Sequence, residues 1–210
     1  MKTLYILGAS GFAKEVYGML KTLNTYEIVA FVDTKKQPSI SIFGDDIPVI
    51  SEEDLLEKEN PSSTLLAMGI GDPKILTKLA EKFKNFTFPN IIHPTAIIDE
   101  REVHLGKGNI ITAGVIFTVC INVGDFNIFN LSATVGHDCS IKNCNIINPN
   151  VNISGNVFIG NANLLGVGSV ILQNKNIGDN CIIGAASLVT KDVIDNATVI
   201  GIPAKQMSAK

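Results

Sequence analysis

The sequence holds one pair of neighbours suited to moving a proton. His137 and Asp138 stand in "VGHDCSIKN", Val135 to Asn143, where almost every other position is aliphatic, small or Asn. An imidazole titrates near neutral pH, and an adjacent carboxylate can orient the ring and favour its protonated form. A second chemical feature is Gly8-Ala9-Ser10-Gly11, which follows an apolar run and opens a helical pattern. Backbone N–H groups in such a turn can cradle a phosphate at the helix N-terminus. Asp33 ends the next apolar run, where the acid of a dinucleotide fold meets a ribose. As a dinucleotide fingerprint the turn is imperfect, because Ser10 stands where G-x-G-x-x-G needs its second glycine and Ala13 ends the motif. The four cysteines, Cys120, Cys139, Cys144 and Cys181, show no CxxC spacing, so small buried thiols are the default reading.

The elements that position these residues fall into two halves. Up to about residue 90, strand and helix signals alternate. "TLYILGAS" reads as a buried strand entering a turn, and "GFAKEVYGMLKTL" has helical spacing at Val16, Met19, Leu20 and Leu23. "YEIVAFVD" is a second strand, and "ISEEDLLEK" offers Ser51 as N-cap with Asp54 three residues on. "STLLAMGIGDPKILTKLAEKF" repeats strand, glycine turn and helix, with Pro73 where a first helical turn tolerates it. This alternation predicts a small parallel sheet, a Rossmann-like α/β domain over residues 1–90. Such a half is too short for a full dinucleotide site, and a nucleotide-sugar fits it better.

From Leu105 the pattern changes. Stepping by six from Leu105 to Val189 meets only Leu, Ile, Val or Phe. A longer period overlies this one: Asn109, Asn127, Asn145 and Asn163 are 18 apart, as are Gly106, Gly124, Lys142, Gly160 and Gly178. Three hexads therefore make one coil, each Asn stacks on the Asn a coil below, and stacked amides can form a hydrogen-bonded ladder. The architecture is a parallel β-helix of triangular section with about five coils, over residues 91–210.

Composition limits the partners. The chain is 46% apolar and 18% charged with a net charge of −3; its mean hydropathy is +0.28. No basic cluster suggests nucleic acid, and no 18-residue apolar run suggests a membrane span. The start reads as strand, turn and helix rather than as a cleavable signal, so the expected location is cytoplasmic. Zinc chemistry in a β-helix needs three His ligands around one metal. His104 and His137 lie 33 apart, not a multiple of 18, and no metal site is expected. His93 and His104 read as structural.

The hexads and the tail "VTKDVIDNATVIGIPAK", Val189 to Lys205, resemble the left-handed β-helix of the hexapeptide-repeat acyltransferases. With "GASGFAKEV", "GIGD" and "GHDCSI", nearly the whole chain looks like the nucleotide-sugar acetyltransferases related to PglD and NeuD. The resemblance implies the left hand, an exception to the usual crossover rule. It also implies acetyl-CoA as co-substrate, a UDP- or dTDP-linked amino sugar as acceptor, and a homotrimer with the acetyl-CoA groove between subunits. Carried over residue by residue, His137 is the general base and Asp138 tunes it. Ser10, Gly11, Phe12, Asp33, Gly71 and Lys74 contact the nucleotide, while Asn130 helps position the sugar amine. Gly155, Gly166, Val167, Gly184 and Ala185 contact the acyl donor, with the Gly155 N–H a candidate oxyanion donor. Two positions depart from the family pattern: Phe12 where a His is often found, and Ile146 where a second His usually follows the base. The expected reaction is N-acetylation of the 4-amino group of a 4-amino-4,6-dideoxy sugar. Sugar O-acetylation of the NeuD type, and a non-enzymatic role beside a sugar-nucleotide synthase, stay open as alternatives.

Overall fold

The computed structural model describes residues 2–34 and 38–207. They form two compact units, one running to Gly71 with Ile75–Ile91, the other comprising Asp72–Lys74 and the chain from Ile92 onward.

In the first unit the strands are β1 (Lys2–Leu7), β2 (Tyr26–Val32), β3 (Ser39–Ile42), β4 (Asp45–Ile50) and β5 (Leu65–Met68). The helices are α1 (Gly11–Leu23), α2 (Glu52–Lys58) and α3 (Pro73–Lys82), the last with Pro73 and Lys74 assigned to the second unit. The sheet order is β3-β4-β2-β1-β5. β1, β2, β4 and β5 run parallel, as buried strands joined by helical crossovers do. β3 departs from the expected all-parallel sheet by pairing antiparallel with β4. The two-residue turn between them puts both Phe43 and Gly44 at positive φ, the twist a tight hairpin requires. A bulky aromatic in that conformation hides the turn from sequence reading. Helix α1 buries Ala13, Val16, Tyr17, Met19 and Leu20. Ser51 caps α2 by accepting from the Asp54 N–H at 3.0 Å, as its spacing predicts.

The second unit is a left-handed β-helix with three sheets, one per side of the triangle, parallel except where Lys205–Gln206 pairs antiparallel with Thr198–Ile200. One sheet stacks Val103–Leu105, Ile121–Val123, Ser140–Ile141, Phe158–Ile159 and Asn176–Ile177. The next runs from Ile91–Ile92 through Ile110–Ile111, Ile128–Phe129, Ile146–Ile147, Leu164–Leu165 and Ile182–Ile183 to Thr198–Ile200 and Lys205–Gln206. The third stacks Ile116–Phe117, Thr134–Val135, Asn152–Ile153, Val170–Ile171 and Leu188–Val189. Register confirms the 18-residue coil, since Val123 pairs with Ile141 and Phe129 with Ile147. Every hexad anchor from Ile111 to Val189 is buried, and Leu105 packs partly buried at the end of the stack.

Corners close the coil through one repeated device. Every sixth residue from Gly108 to Ala186 has φ between 53° and 72°. This left-handed conformation suits Gly and Asn, and Asn or Gly holds many of these positions. The predicted Asn ladder forms inside one corner, where Asn109, Asn127, Asn145 and Asn163 are wholly buried. Asn109 Oδ1 accepts from the Asn127 N–H at 2.8 Å, and Asn127 Oδ1 from the Asn145 N–H at 3.0 Å and Nδ2 at 2.9 Å. The next rung is Cys181, whose N–H donates to Asn163 Oδ1 at 2.6 Å. Cys139, Cys144 and Cys181 are buried as read from sequence, but Cys120 is exposed. Backbone conformation alone does not decide this, since Cys144 is buried at the same left-handed corner position, φ 59°; the Cys120 thiol, at φ 57°, instead turns outward and donates to Glu102 Oε2 at 3.5 Å.

Candidate active site

The chain enters the His137 corner from strand Thr134–Val135 and leaves it by strand Ser140–Ile141. Backbone bonds pin the corner on both sides. The Gly136 N–H donates to Ile153 O at 2.8 Å, the Asp138 N–H to Val119 O at 3.1 Å, and the Asn156 N–H to His137 O at 2.7 Å. Asp138 takes the left-handed turn position, φ 60°, which turns its carboxylate back onto its neighbour. Asp138 Oδ2 lies 2.7 Å from His137 Nδ1, and both side chains are more than half exposed, 53% and 58%. The carboxylate so fixes Nδ1 as the donor side, leaving Nε2 as the open, lone-pair nitrogen. Among the described residues, the Gly155 N–H, one coil on at the same corner, donates to no acceptor. A proton acceptor and a free backbone donor thus sit side by side, about 4.8 Å apart in coil rise.

The period distributes the other expected residues. Asn130 with Leu131, Gly166 with Val167, and Gly184 with Ala185 occupy the next corner, reached from the 8-stranded sheet, with Asn148 and Pro149 on the coil between the first two pairs. The sheet holding Thr134–Val135 joins this corner to that of His137 and Gly155. All expected β-helix residues therefore bound one side of the prism. Asn130 Oδ1 accepts from the Leu131 N–H at 2.8 Å, and no hydrogen bond joins it to His137. Gly166 and Gly184 have a structural reason of their own. A β-carbon at Gly166 would stand 2.5 Å from Ala185 N, and one at Gly184 would stand 2.6 Å from Ile200 Cγ2. Val167 and Ala185 are exposed. Ile146 is 2% exposed and lies in the 8-stranded sheet, the one side that does not meet the His137 corner.

In the first unit, Ser10, Gly11, Phe12, Asp33 and Gly71 all follow the carboxyl ends of parallel strands, the edge where open α/β sheets take ligands. Gly8, φ 106°, turns the chain out of β1 while its N–H donates to Val32 O at 2.7 Å. Asp33 Oδ2 accepts from the Ala9 N–H at 2.9 Å, so this carboxylate shapes the glycine turn. Ser10 opens α1 without a side-chain cap, and no acidic residue stands in the first turn. The exposed N–H groups there keep the positive end of the helix available to an anion. Gly71 is exposed, and Lys74 lies in the first turn of α3, where its N–H donates to Asp72 Oδ1 at 2.8 Å. His93 Nδ1 accepts from the Thr95 N–H at 3.1 Å, and His104 is exposed in its strand. Among the described residues, no three His, Cys, Asp or Glu side chains group to hold a metal, and no helix is long and apolar enough to cross a membrane.

Sequence reading passed over Gly136. A β-carbon there would stand 2.7 Å from Gly155 N, so this glycine lets the free N–H approach. Its place beside the base was the available signal.

Residues 3–83 match the family model of the PglD N-terminal domain. No curated protein sequence matches the chain. A histidine-substituted perosamine N-acetyltransferase from Caulobacter crescentus, solved with CoA and GDP-perosamine, is 30% identical with a TM-score of 0.89. The alignment covers 100% of this chain and 98% of that one. The acetyltransferase domain of PglB from Neisseria gonorrhoeae is 31% identical with a TM-score of 0.91, covering 99% and 100%; it has also been solved with acetyl coenzyme A. WeeI from Acinetobacter baumannii is 26% identical with a TM-score of 0.76, covering 99% and 100%.

The left-handed β-helix of hexads and these relatives make the chain a hexapeptide-repeat acyltransferase. Within that superfamily the chain belongs to the PglD-like sugar N-acetyltransferases, enzymes that draw their acetyl group from acetyl-CoA.

Proposed function

We propose that the chain acetylates the 4-amino group of a nucleotide-linked 4-amino-4,6-dideoxy sugar, with His137 as general base. The observation that carries this reading is the 2.7 Å contact of Asp138 with His137 Nδ1, which leaves Nε2 open beside the free Gly155 N–H. The neutral amine attacks the thioester carbonyl carbon and forms the C–N bond. The amine proton passes to Nε2, and Asp138 stabilises the imidazolium that results. The carbonyl electrons move onto oxygen, where the Gly155 N–H donates to them. Collapse breaks the C–S bond, and the departing sulfur takes the proton from Nε2. General-base assistance is worth about 10²–10⁴ in rate, and orientation in the groove supplies the rest.

The acceptor carries UDP or dTDP in this reading. The Caulobacter relative solved with GDP-perosamine adds guanine to the bases worth testing. A panel of UDP-, dTDP- and GDP-linked 4-amino sugars with their 4-hydroxy counterparts, assayed for thiol release from acetyl-CoA, decides among them. Turnover of a hydroxyl sugar in preference to every amine would replace this reading with O-acetylation. No turnover and no binding of either substrate would leave the non-enzymatic role.

In this reading the α/β unit holds the nucleotide and the β-helix holds acetyl-CoA. Gly11→Val is the probe, because a β-carbon at Gly11 meets nothing within 4 Å. Only a ligand approaching the backbone would feel it. The expected result is a KM for the sugar nucleotide raised about tenfold, about 1.4 kcal/mol of binding. kcat should fall less than kcat/KM, and the acetyl-CoA KM should stay within about twofold. Asp33→Ala also releases the Ala9 N–H, so it mixes ligand contact with turn geometry. A selective loss of acetyl-CoA affinity in Gly11→Val would reverse the assignment of the two units.

The active form is proposed to be a homotrimer. Ile116, Val119, Leu131 and Val167 are exposed on the one prism side that carries the expected site residues and on its two corners. Apolar surface of this kind is covered by another copy in closed oligomers. Sedimentation equilibrium should give three times the chain mass at working concentration. A fully active monomer would contradict it.

A further inference from the structure

We propose that Gly155 is a positioning residue for the base: the His137 imidazole holds its working tilt because position 155 carries no side chain. The inference rests on the reading of His137 as proton acceptor. A β-carbon built on Gly155 would stand 2.5 Å from His137 Nε2, 2.6 Å from Cε1 and 2.9 Å from Cδ2. Its three nearest neighbours are all atoms of the ring. That sets it apart from Gly136 and Gly166, where the nearest atoms are backbone and coil spacing alone demands glycine. Nor does conformation require it, for Gly155 lies outside the left-handed region, in which its neighbour Asn156 makes the turn at φ 54°. The same corner position one coil before and one coil after His137–Gly155 holds Val119 and Gln173. The corner therefore accepts side chains on other coils, and the ring is what excludes one here.

Two constraints together fix the imidazole. Asp138 holds Nδ1 from one side, and the flat surface of Gly155 supports the Nε2 edge from the other. The same residue presents its N–H beside that edge, so base and donor share one coil-to-coil step. A methyl group at 155 would push the ring outward by about 1 Å, a displacement that can cost ~100-fold in rate when geometry is set this closely. Because the ring is half exposed, it can swing aside, and the coil beneath stays intact.

The test compares Gly155→Ala, His137→Ala and the double variant in the full chain, using acetyl-CoA and the best acceptor of the nucleotide-sugar panel. Ring resonances of His137 are followed by NMR, identified by their loss in His137→Ala. Gly155→Ala should move those resonances, lower kcat at least about tenfold, and leave the acetyl-CoA KM within about twofold. In the double variant kcat should match that of His137→Ala, because the alanine acts only through the ring. Unmoved ring resonances would overturn the proposal. So would an acetyl-CoA KM raised equally with and without the imidazole, which would assign the glycine to passage of the donor. If His137→Ala itself keeps normal turnover, the general-base reading falls, and the ring resonances of Gly155→Ala still decide whether the glycine seats the ring.

Discussion

His137→Ala should lower kcat at least ~100-fold with no change in thermal unfolding, the lower bound that general-base catalysis contributes. The ring is half exposed and, among the described residues, its side-chain hydrogen-bond partner is Asp138, so little packing is lost with it. The corner backbone is held by bonds from Gly136, Asp138 and Asn156 that do not involve the imidazole. Activity and stability should therefore separate. Asp138→Asn should be milder. Asn suits the left-handed corner as well as Asp does, so the turn survives while the charge facing Nδ1 is removed. Steady-state kinetics with a saturating amino-sugar acceptor, beside a melting curve, checks both. Near-normal turnover in His137→Ala would take the imidazole out of the mechanism.

The largest stability effect is expected at Asn145. Its Nδ2 donates to Asn127 Oδ1 at 2.9 Å and to Gly160 O at 2.9 Å, and its Oδ1 accepts from the Asn163 N–H at 2.9 Å. Asn145→Ala strands two buried polar groups on the next coil, Gly160 O and the Asn163 N–H, while Asn127 Oδ1 keeps its bond from the Asn145 N–H. Each unsatisfied group costs about 1–3 kcal/mol, so a loss of about 2 kcal/mol or more is expected. Asn143 forms a comparable ladder outside the coil, where its Oδ1 accepts from the Asp125 N–H at 2.8 Å. Water replaces that contact, and Asn143→Ala should cost under about 1 kcal/mol. Urea unfolding of the two variants provides the comparison. Equal losses would mean that the buried ladder adds nothing beyond an exposed one.

The register of the β-helix was legible because it repeats. A period of 18 brings each residue over its counterpart, so Asn127 on Asn109 and Phe129 under Ile147 follow from counting. The same counting places His137 on a corner and puts Gly155 directly beyond it. Local signals also located α1, the Ser51 cap and the Pro73 helix start, since each depends on neighbours within a turn of chain. The His–Asp pair was legible for the same reason, its members being adjacent.

What counting left open needed the path of side chains. Cys120 and Cys139 look alike in sequence, yet one sits on the outer turn of a corner and the other points into the core. Hairpin β3–β4 depends on a left-handed Phe43, a conformation its sequence does not advertise. Asp33 appeared free for a ribose, but the fold sets one of its oxygens on the Ala9 N–H. The sequence by itself determined the two architectures and the pairing of His137 with Asp138, because both arise from periodicity and adjacency. Only the tertiary structure decided that the imidazole leans over Gly155, that Ile146 faces away from that corner, and that one prism side gathers the expected β-helix residues. Those depend on which rotamer a ring adopts and which side of a triangle a strand occupies, and neither is encoded within a single hexad.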